Sequence, residues 1–332
     1  MRKISTVFFS SIVVLVLAVG MVFADEGTLR MYVAYSHPEL IASEFEKATG
    51  IKVEFLPMSS GEVLTRLKAE RSNPRTDVWF GGGSDAFIQA KADGLIVPYD
   101  SPNAERVADA FRDGEGYWTG VSLVVVGLLV NTERAESVGL PIPDSWEAIA
   151  DSSFKDEVLA SNPKTSGTAY TTVSGVLQMF GEEKGWSYLE RLYGNIPFLE
   201  KSGGTPGTKA VQGEFAVGIV PDPHSIKMNN PDAPVKTVFP KDGVLAWPSP
   251  VAIVKGAKNM EGAEKFVDWA LSPEGQKVLM RANPRVPTTN VEPLEGVPRL
   301  KDLNLIPYDH VKWGTSRADV LAEFSKRFPQ FN

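Results

Sequence analysis

Apolar positions follow three rhythms along the chain. From Ile4 to Phe23 they are almost continuous. Through the first third they alternate every second residue, then recur every third or fourth. Leu29, Met31, Val33 and Tyr35 predict a strand over 28–35. Pro38 opens an amphipathic run through Leu40, Ile41, Phe45 and Ala48, and Gly50 closes it as a helix. Residues 51–56 alternate again. Ser59-Ser60-Gly61-Glu62 then places a serine three residues before a glutamate, the capping-box pattern of a helix start, with a helix to about 71. Residues 77–80 read as a short buried strand, and Gly81-Gly82-Gly83-Ser84-Asp85 leads into a helix ending near Gly94. Strands alternating with helices predict an α/β fold with a largely parallel sheet flanked by helices. In such sheets ligands gather where strand C-termini meet helix N-termini.

Two later segments are different. Residues 121–130 form a long apolar strand, and 244–255 form a second one carrying Pro248 and Pro250. Prolines at mid-strand predict a bend or an edge rather than a central position. Between them lie helices at 166–180, 183–193 and 206–212, with strands at 216–220 and 235–239. A self-contained unit entered and left through two extended segments predicts two lobes joined by two hinge strands, though two ordinary core strands fit the pattern as well. The expected organisation is a leader at 1–24, a first lobe from 25–122 and 247–290, and a second lobe from 123–246 and 291–332. Helices at 260–271 and 273–281, a proline-rich stretch and a last amphipathic helix at 316–328 complete the chain.

The opening apolar run changes the cellular picture. Met1-Arg2-Lys3 is positive, Val22-Phe23-Ala24 ends on the small residue a signal peptidase cuts behind, and Asp25-Glu26 follow. A membrane anchor needs a run of similar length, but the cleavage-like end and acidic switch predict export. The chain contains no cysteine, so a lipid anchor at the cut site is not expected and the protein should be free in a bacterial periplasm. Loss of Arg2 and Lys3 takes the formal charge from −7 to −9, because residues 1–24 carry no acidic side chain. That balance excludes a nucleic-acid partner, which requires clustered basic residues. About 308 mature residues are more than one core usually serves.

Catalytic signatures are missing: there is no G-x-S-x-G elbow, HExxH or Walker loop. Only His37, His224 and His310 could ligate a metal through imidazole, and no set has zinc spacing. Gly81, Gly83 and Ala86 mimic a dinucleotide fingerprint, with Asp100 placed as its ribose acid. They follow the third strand rather than the first, and an exported protein meets no nicotinamide pool. No cofactor and no enzymatic role are expected.

What recurs is small hydroxyl and glycine residues at helix starts. Ser59, Ser60 and Gly61 open one helix; Gly82, Gly83 and Ser84 open another; Thr165, Ser166, Gly167 and Thr168 open a third. Gly203-Gly204-Thr205 is placed to open a fourth. A helix N-terminus offers unpaired N–H groups and partial positive charge, so it holds an anion without a formal cation. The same residue types are also the commonest caps, so each start taken singly reads equally as structural. His37 follows the first strand, and Asp222 and His224 follow strand 216–220, both at a sheet's C-terminal edge. Each fits a ligand contact or a cap. His310, in the proline-rich tail, reads as structural.

These residues carry a resemblance. The stretches AYSHPELIASEFEKATGIKVEFLPMSSGEVLTRLKAE (34–70), RTDVWFGGGSDAFIQAKADGLIVPY (75–99) and NPKTSGTAYTTVSG (162–175), with KAVQGEFAVGIV (209–220) and EKFVDWALSPEGQKVL (264–279), make the chain similar to periplasmic solute-binding proteins of ABC importers, in the ferric-iron-binding-like branch. The resemblance covers nearly all of the mature chain. It implies a type II periplasmic-binding-protein fold, a monomer, a ligand held between the lobes, and delivery to permease subunits. In the iron binders a histidine after the first strand is a ligand, and His37 stands there. Their glutamate falls at Gly81–Gly83 and their tyrosine pair at Asp222-Pro223, so neither is kept. The Thr-Ser-Gly start that holds their anion is kept at Thr165–Gly167. Hard Fe³⁺ wants anionic oxygens, and His37 with Asp222 is a poor set. The resemblance therefore points to an oxyanionic cargo, a phosphonate or organic phosphate, with iron(III) through His37 and Asp222 as the alternative. The N–H and hydroxyl groups at Ser59, Ser60 and Gly61, at Gly82–Ser84 and at Thr165–Thr168 would meet the phosphoryl oxygens, while His37, Asp222 and His224 would read the rest of the molecule.

Overall fold

Burial of one face and capping of each end shape every unit of the fold. A computed structural model describes residues 27–332, and the leader read at 1–24 lies outside them. Strand β1 (Leu29–Ala34) precedes α1 (Pro38–Thr49), which starts on Pro38 and stops at Gly50 in the left-handed region, φ 76°. Strand β2 (Val53–Pro57) leads to α2 (Ser60–Ala69), and β3 (Val78–Gly81) leads to α3 (Ser84–Ala92) and the short β4 (Ile96–Val97). β1 pairs in parallel with β2 and with β3.

Strand β5 (Thr119–Asn131) is buried at all of its positions, as its unbroken apolar run requires. The chain continues through α4 (Thr132–Ser137), α5 (Trp146–Ile149), β6 (Val158–Ser161), α6 (Gly167–Phe180), α7 (Glu182–Gly194) and β7 (Leu199–Glu200). It then forms α8 (Thr205–Val211), β8 (Val217–Pro221), α9 (Pro223–Asn229), β9 (Val235–Val238) and β10 (Leu245–Val254). Helices α10 (Met260–Leu271) and α11 (Pro273–Ala282), strand β11 (Val286–Pro287), and helices α12 (His310–Thr315) and α13 (Arg317–Arg327) end it.

The sheet order is β2-β1-β3-β10-β5-β8-β6-β7, with β4 on β10 and with β9 and β11 on β5. Pairing is parallel between β1 and its neighbours β2 and β3 and between β6 and its neighbours β7 and β8, and antiparallel wherever β5 or β10 takes part. The parallel strand groups of the two lobes are thus joined by antiparallel pairing, because two long strands return through the middle of the sheet. β10 is also a central strand, contrary to the reading of Pro248 and Pro250. Those prolines fall where β5 is its strand partner, beside an irregularity at Ser249/Pro250, and pairing with β3 begins only at Val251. The missing N–H groups are therefore tolerated.

Each lobe has its own core. In the first, Phe45 and Phe80 each meet Phe266 edge to face, at 5.1 and 5.4 Å. In the second, Tyr193 packs against Phe324 at 5.0 Å and Phe328 at 4.9 Å, so the C-terminal helix closes that core. Such ring pairs add to the area they bury. Asp77 is a polar tie in the first lobe. Its buried carboxylate accepts from Arg30 N at 2.9 Å, Lys258 N at 2.7 Å and Asn259 N at 3.0 Å, joining β1, β3 and the entry to α10.

Asp77→Ala leaves three backbone donors without an acceptor, and at about 1–3 kcal/mol each the loss should reach roughly 3 kcal/mol or more. Denaturant unfolding measures it, and a loss below about 1 kcal/mol would show that water replaces the carboxylate.

Candidate functional site

Three helix starts, two from the first lobe and one from the second, open onto a common cavity of about 1010 Å³. At α2 the capping box forms in both directions: Ser59 Oγ accepts from Glu62 N at 3.4 Å, and Glu62 Oε2 accepts from Ser59 N at 2.8 Å. This closes the cap but leaves the N–H groups of Ser60 and Gly61 without acceptors among the described residues. Ser60 Oγ accepts from Gly83 N at 3.1 Å, which ties the start of α2 to that of α3. Gly82 lies at φ 103°, and a Cβ there would stand 2.1 Å from Ser60 Oγ. Only glycine fits this contact.

Gly82 N donates to Ser249 Oγ at 3.2 Å. The amides of Gly82 and Gly83 are therefore spent inside the protein, and these glycines shape the wall rather than supply donors. The open donors at α3 are the amides of Ser84 and Asp85. Asp85 lines the same cavity with its carboxylate, the one sign there that repels an anion.

At α6, Ser166 Oγ accepts from Ala169 N at 3.3 Å, and Thr165 Oγ1 donates to Lys201 O at 2.8 Å. The amides of Gly167 and Thr168 remain open at the cavity. Gly203 packs close over this corner, since a Cβ there would meet Thr168 Oγ1 at 2.8 Å and Ser166 Oγ at 3.0 Å. The fourth start, at α8, is closed. Thr205 N donates to Ser202 O at 3.2 Å and Pro206 has no N–H.

The structure brings Ser59, Ser60, Gly61, Gly82, Gly83, Ser84, Thr165, Ser166, Gly167 and Thr168 together around this cavity. It does not bring His37, Asp222 or His224 to the lining. His37 is largely exposed beside Glu39, Nδ1 to Oε1 3.3 Å, at φ 51°. Asp222 has both carboxylate oxygens engaged, Oδ1 by Val125 N at 3.0 Å and Oδ2 by Arg285 Nε at 2.9 Å. His224 is buried, with Nε2 donating to Pro284 O at 2.7 Å, and burial lowers its pKa. Asp222 is buried, with its oxygens turned to Val125 and Arg285 rather than to the cavity.

Other residues line the cavity instead, and little in the chain's pattern pointed to them. Arg285, Arg317 and Lys201 put formal cations on the lining. The Arg317 guanidinium lies 4.2 Å from the Tyr170 ring centre, a cation–π contact that fixes it at the start of α13. His310, which reads as structural in the tail, lines the cavity and lies 3.3 Å by Nδ1 from Ser84 Oγ. Surrounding protein strips water from its ring and pushes its pKa down to about 4, so it is neutral near pH 7. Trp313 Nε1 bonds Gln178 Oε1, anchoring α12 to α6 while His310 reaches α3.

Comparisons with known proteins show which family and fold the chain shares. The family described as bacterial extracellular solute-binding protein matches residues 74–313. A Haemophilus influenzae protein without an assigned role is 33% identical over 300 residues, 86% of each chain. Periplasmic binding protein AfuA from Actinobacillus pleuropneumoniae, solved with exogenous fructose-6-phosphate bound, is 33% identical with TM-score 0.81, over 91% of this chain and 98% of that one. A Salmonella typhimurium protein named as a candidate 2-aminoethylphosphonate-binding periplasmic protein is 26% identical over 239 residues, 70% of this chain and 68% of its own.

The His310 environment sets a pH dependence. Its folded pKa lies below the unfolded value of about 6.5, so between these values the unfolded chain binds the extra proton. Stability therefore falls on acidification from about pH 6.5 to about pH 4. Thermal melts across that range should show His310→Asn losing less than the wild type, and parallel slopes would mean that water reaches the ring.

Proposed function

The chain belongs to the bacterial extracellular solute-binding proteins that serve ABC importers, and on that premise we propose that its cargo is an organic phosphate or phosphonate. Proteins of this family and fold bind a small ligand outside the cytoplasmic membrane and deliver it to permease components; they are transport-associated binding proteins, not enzymes. No helix among the described residues is long and apolar enough to cross a membrane. A signal peptide over 1–24 and a periplasmic protein without a lipid anchor belong to this proposal.

One observation carries the reading: helix starts from both lobes turn their open amides onto one cavity. Oxygens of a tetrahedral oxyanion would accept from Ser60 and Gly61 at α2, from Ser84 at α3, and from Gly167 and Thr168 at α6. Each such end concentrates partial positive charge, and the dipole effect is strongest within the first turn. A ligand bridging the ends would favour the closed arrangement of the lobes, because only there do both sets of donors reach it. The cavity is far larger than a bare anion, and Trp247, Tyr170 and Tyr308 give it aromatic wall for an organic body. Fructose-6-phosphate, bound by AfuA, and 2-aminoethylphosphonate, in the name of the Salmonella relative, both combine a tetrahedral oxyanion with such a body. Iron(III) as cargo loses support from the placement of its two named ligands. His37 stands outside the cavity lining and Asp222 is committed to Arg285.

Thermal melting of the purified protein against fructose 6-phosphate, 2-aminoethylphosphonate, inorganic phosphate and iron(III) citrate tests the assignment. A ligand at about 100 times its dissociation constant adds roughly 2.7 kcal/mol, a rise of several degrees for about 300 residues. A rise with iron alone would overturn the reading.

Gly167→Pro gives a sharper test. Position 167 is the first residue of α6, where proline is accepted, and Ser166 already has the extended backbone (φ −115°, ψ 122°) that a following proline demands. The variant removes one open donor and keeps the helix. Its ligand-free midpoint should stay close to wild type while affinity for the bound ester falls about tenfold. Unchanged affinity would mean that this helix start is only a cap.

A further inference from the structure

Arg285 sits in the turn between α11 and β11, and its side chain is 17% exposed where it lines the cavity. A guanidinium carries five N–H donors and no acceptor. Its Nε donates to Asp222 Oδ2 at 2.9 Å. Nη1 makes one long contact, 3.5 Å, with Ser249 Oγ. Among the described residues the remaining three donors have no acceptor at hydrogen-bond distance, although the Tyr35 hydroxyl lies close enough to feel the guanidinium. A largely buried charge with most of its donors unmet is costly unless something else meets them.

Its neighbours fix where the unmet donors lie. Ser249 Oγ, which touches Arg285, also accepts from Gly82 N, so the guanidinium stands beside the glycine corner that opens α3. The Tyr35 ring lies 5.0 Å from the guanidinium carbon, and Tyr35 Oη reaches Ser122 Oγ at 3.3 Å. Asp222 is itself immobilised. It holds a left-handed backbone, φ 46°, its amide donates to Val125 O at 2.7 Å, and Oδ1 accepts from Val125 N at 3.0 Å. Asp222 is thus clamped to β5, the strand shared by both lobes.

We infer that Arg285 is the formal cation that meets the ligand's oxyanion beside the start of α3, and that Asp222 is the residue that positions it. This rests on the reading that the cavity takes a phosphoryl or phosphonyl group. It adds to that reading a charge-assisted contact, roughly twice as strong as a neutral one and directed by the planar fork. Asp222 fixes the Nε edge, which leaves the Nη edge for the ligand. The ion pair also cancels the charge of Arg285 in the empty protein, so the cavity need not hold a bare cation before cargo arrives.

Replacing Arg285 alone would strand a buried carboxylate and endanger folding, so the decisive variant is the double Arg285→Gln/Asp222→Asn, which keeps a neutral amide pair. Isothermal titration with fructose 6-phosphate and with 2-aminoethylphosphonate, at two salt concentrations, reads the outcome. The expected result is a ligand-free melting midpoint close to wild type, affinity lower by about 10- to 100-fold, and a weaker salt dependence of Kd. Asp222→Asn alone should lower affinity by an intermediate factor, and Arg285→Lys should restore only part of it, because a point charge lacks the fork. Wild-type affinity in a folded double variant would reduce the pair to a structural tie and overturn the inference while leaving the phosphoryl reading intact. Failure of the wild-type protein to bind either compound or inorganic phosphate would instead overturn the reading, and the inference with it.

Discussion

An α-helix cannot satisfy its own first N–H groups, and this protein places three such unfinished ends at one cavity. Each end is capped on one side, by Ser59, by the Gly83 backbone and by Ser166, and open on the other. Capping fixes the backbone and leaves the first amides aimed outward. The result is a donor set whose geometry comes from main chain rather than from long side chains, so little order has to be imposed when a ligand arrives. The tight corners around it follow from the same need. Gly82 lets the start of α3 approach Ser60, and Gly203 lets its loop lie against Thr168 and Ser166.

The two strands that pass between the lobes carry more than the chain. β5 pairs with β10 and β11 along its first part and with β8 and β9 along its second, so each lobe's sheet is built on it. Ser249 on β10 takes the Gly82 amide, and Val125 on β5 holds Asp222. The corners of the site are thus bonded to the strands about which the lobes are joined. A change in the angle between lobes and a change at the ligand corners share the same hydrogen bonds, which is what a binding protein needs if loading is to be signalled by shape.

The C-terminal tail belongs to both lobes in a different way. Phe324 and Phe328 complete the second core, Trp313 bonds α6, and His310 crosses to Ser84 on α3. A neutral histidine suits that position. A charged one would add to the formal cations that Arg317, Arg285 and Lys201 already place on the cavity lining.

What the sequence by itself determined is everything whose cause lies within a few residues. The capping box at Ser59 and Glu62, the proline start and glycine stop of α1, the β1 to α3 alternation, the apolar run of β5 and the helix starts at Gly82–Ser84 and Thr165–Thr168 are local signals, and each sits where its spacing placed it. The tertiary structure alone decided which of these meet. Arg285 and Asp222 are 63 residues apart and Ser84 and His310 are 226 apart, and no periodicity links such pairs. Asp222 and His224 read as ligand contacts because they end a strand; packing turned Asp222 toward Arg285 and the β5 backbone and His224 toward Pro284 instead. Arg285 was silent for the opposite reason. It lies in an irregular proline-rich turn, where neither a helical nor a strand rhythm says which way a side chain points, so only the packed lobes around it give it a site.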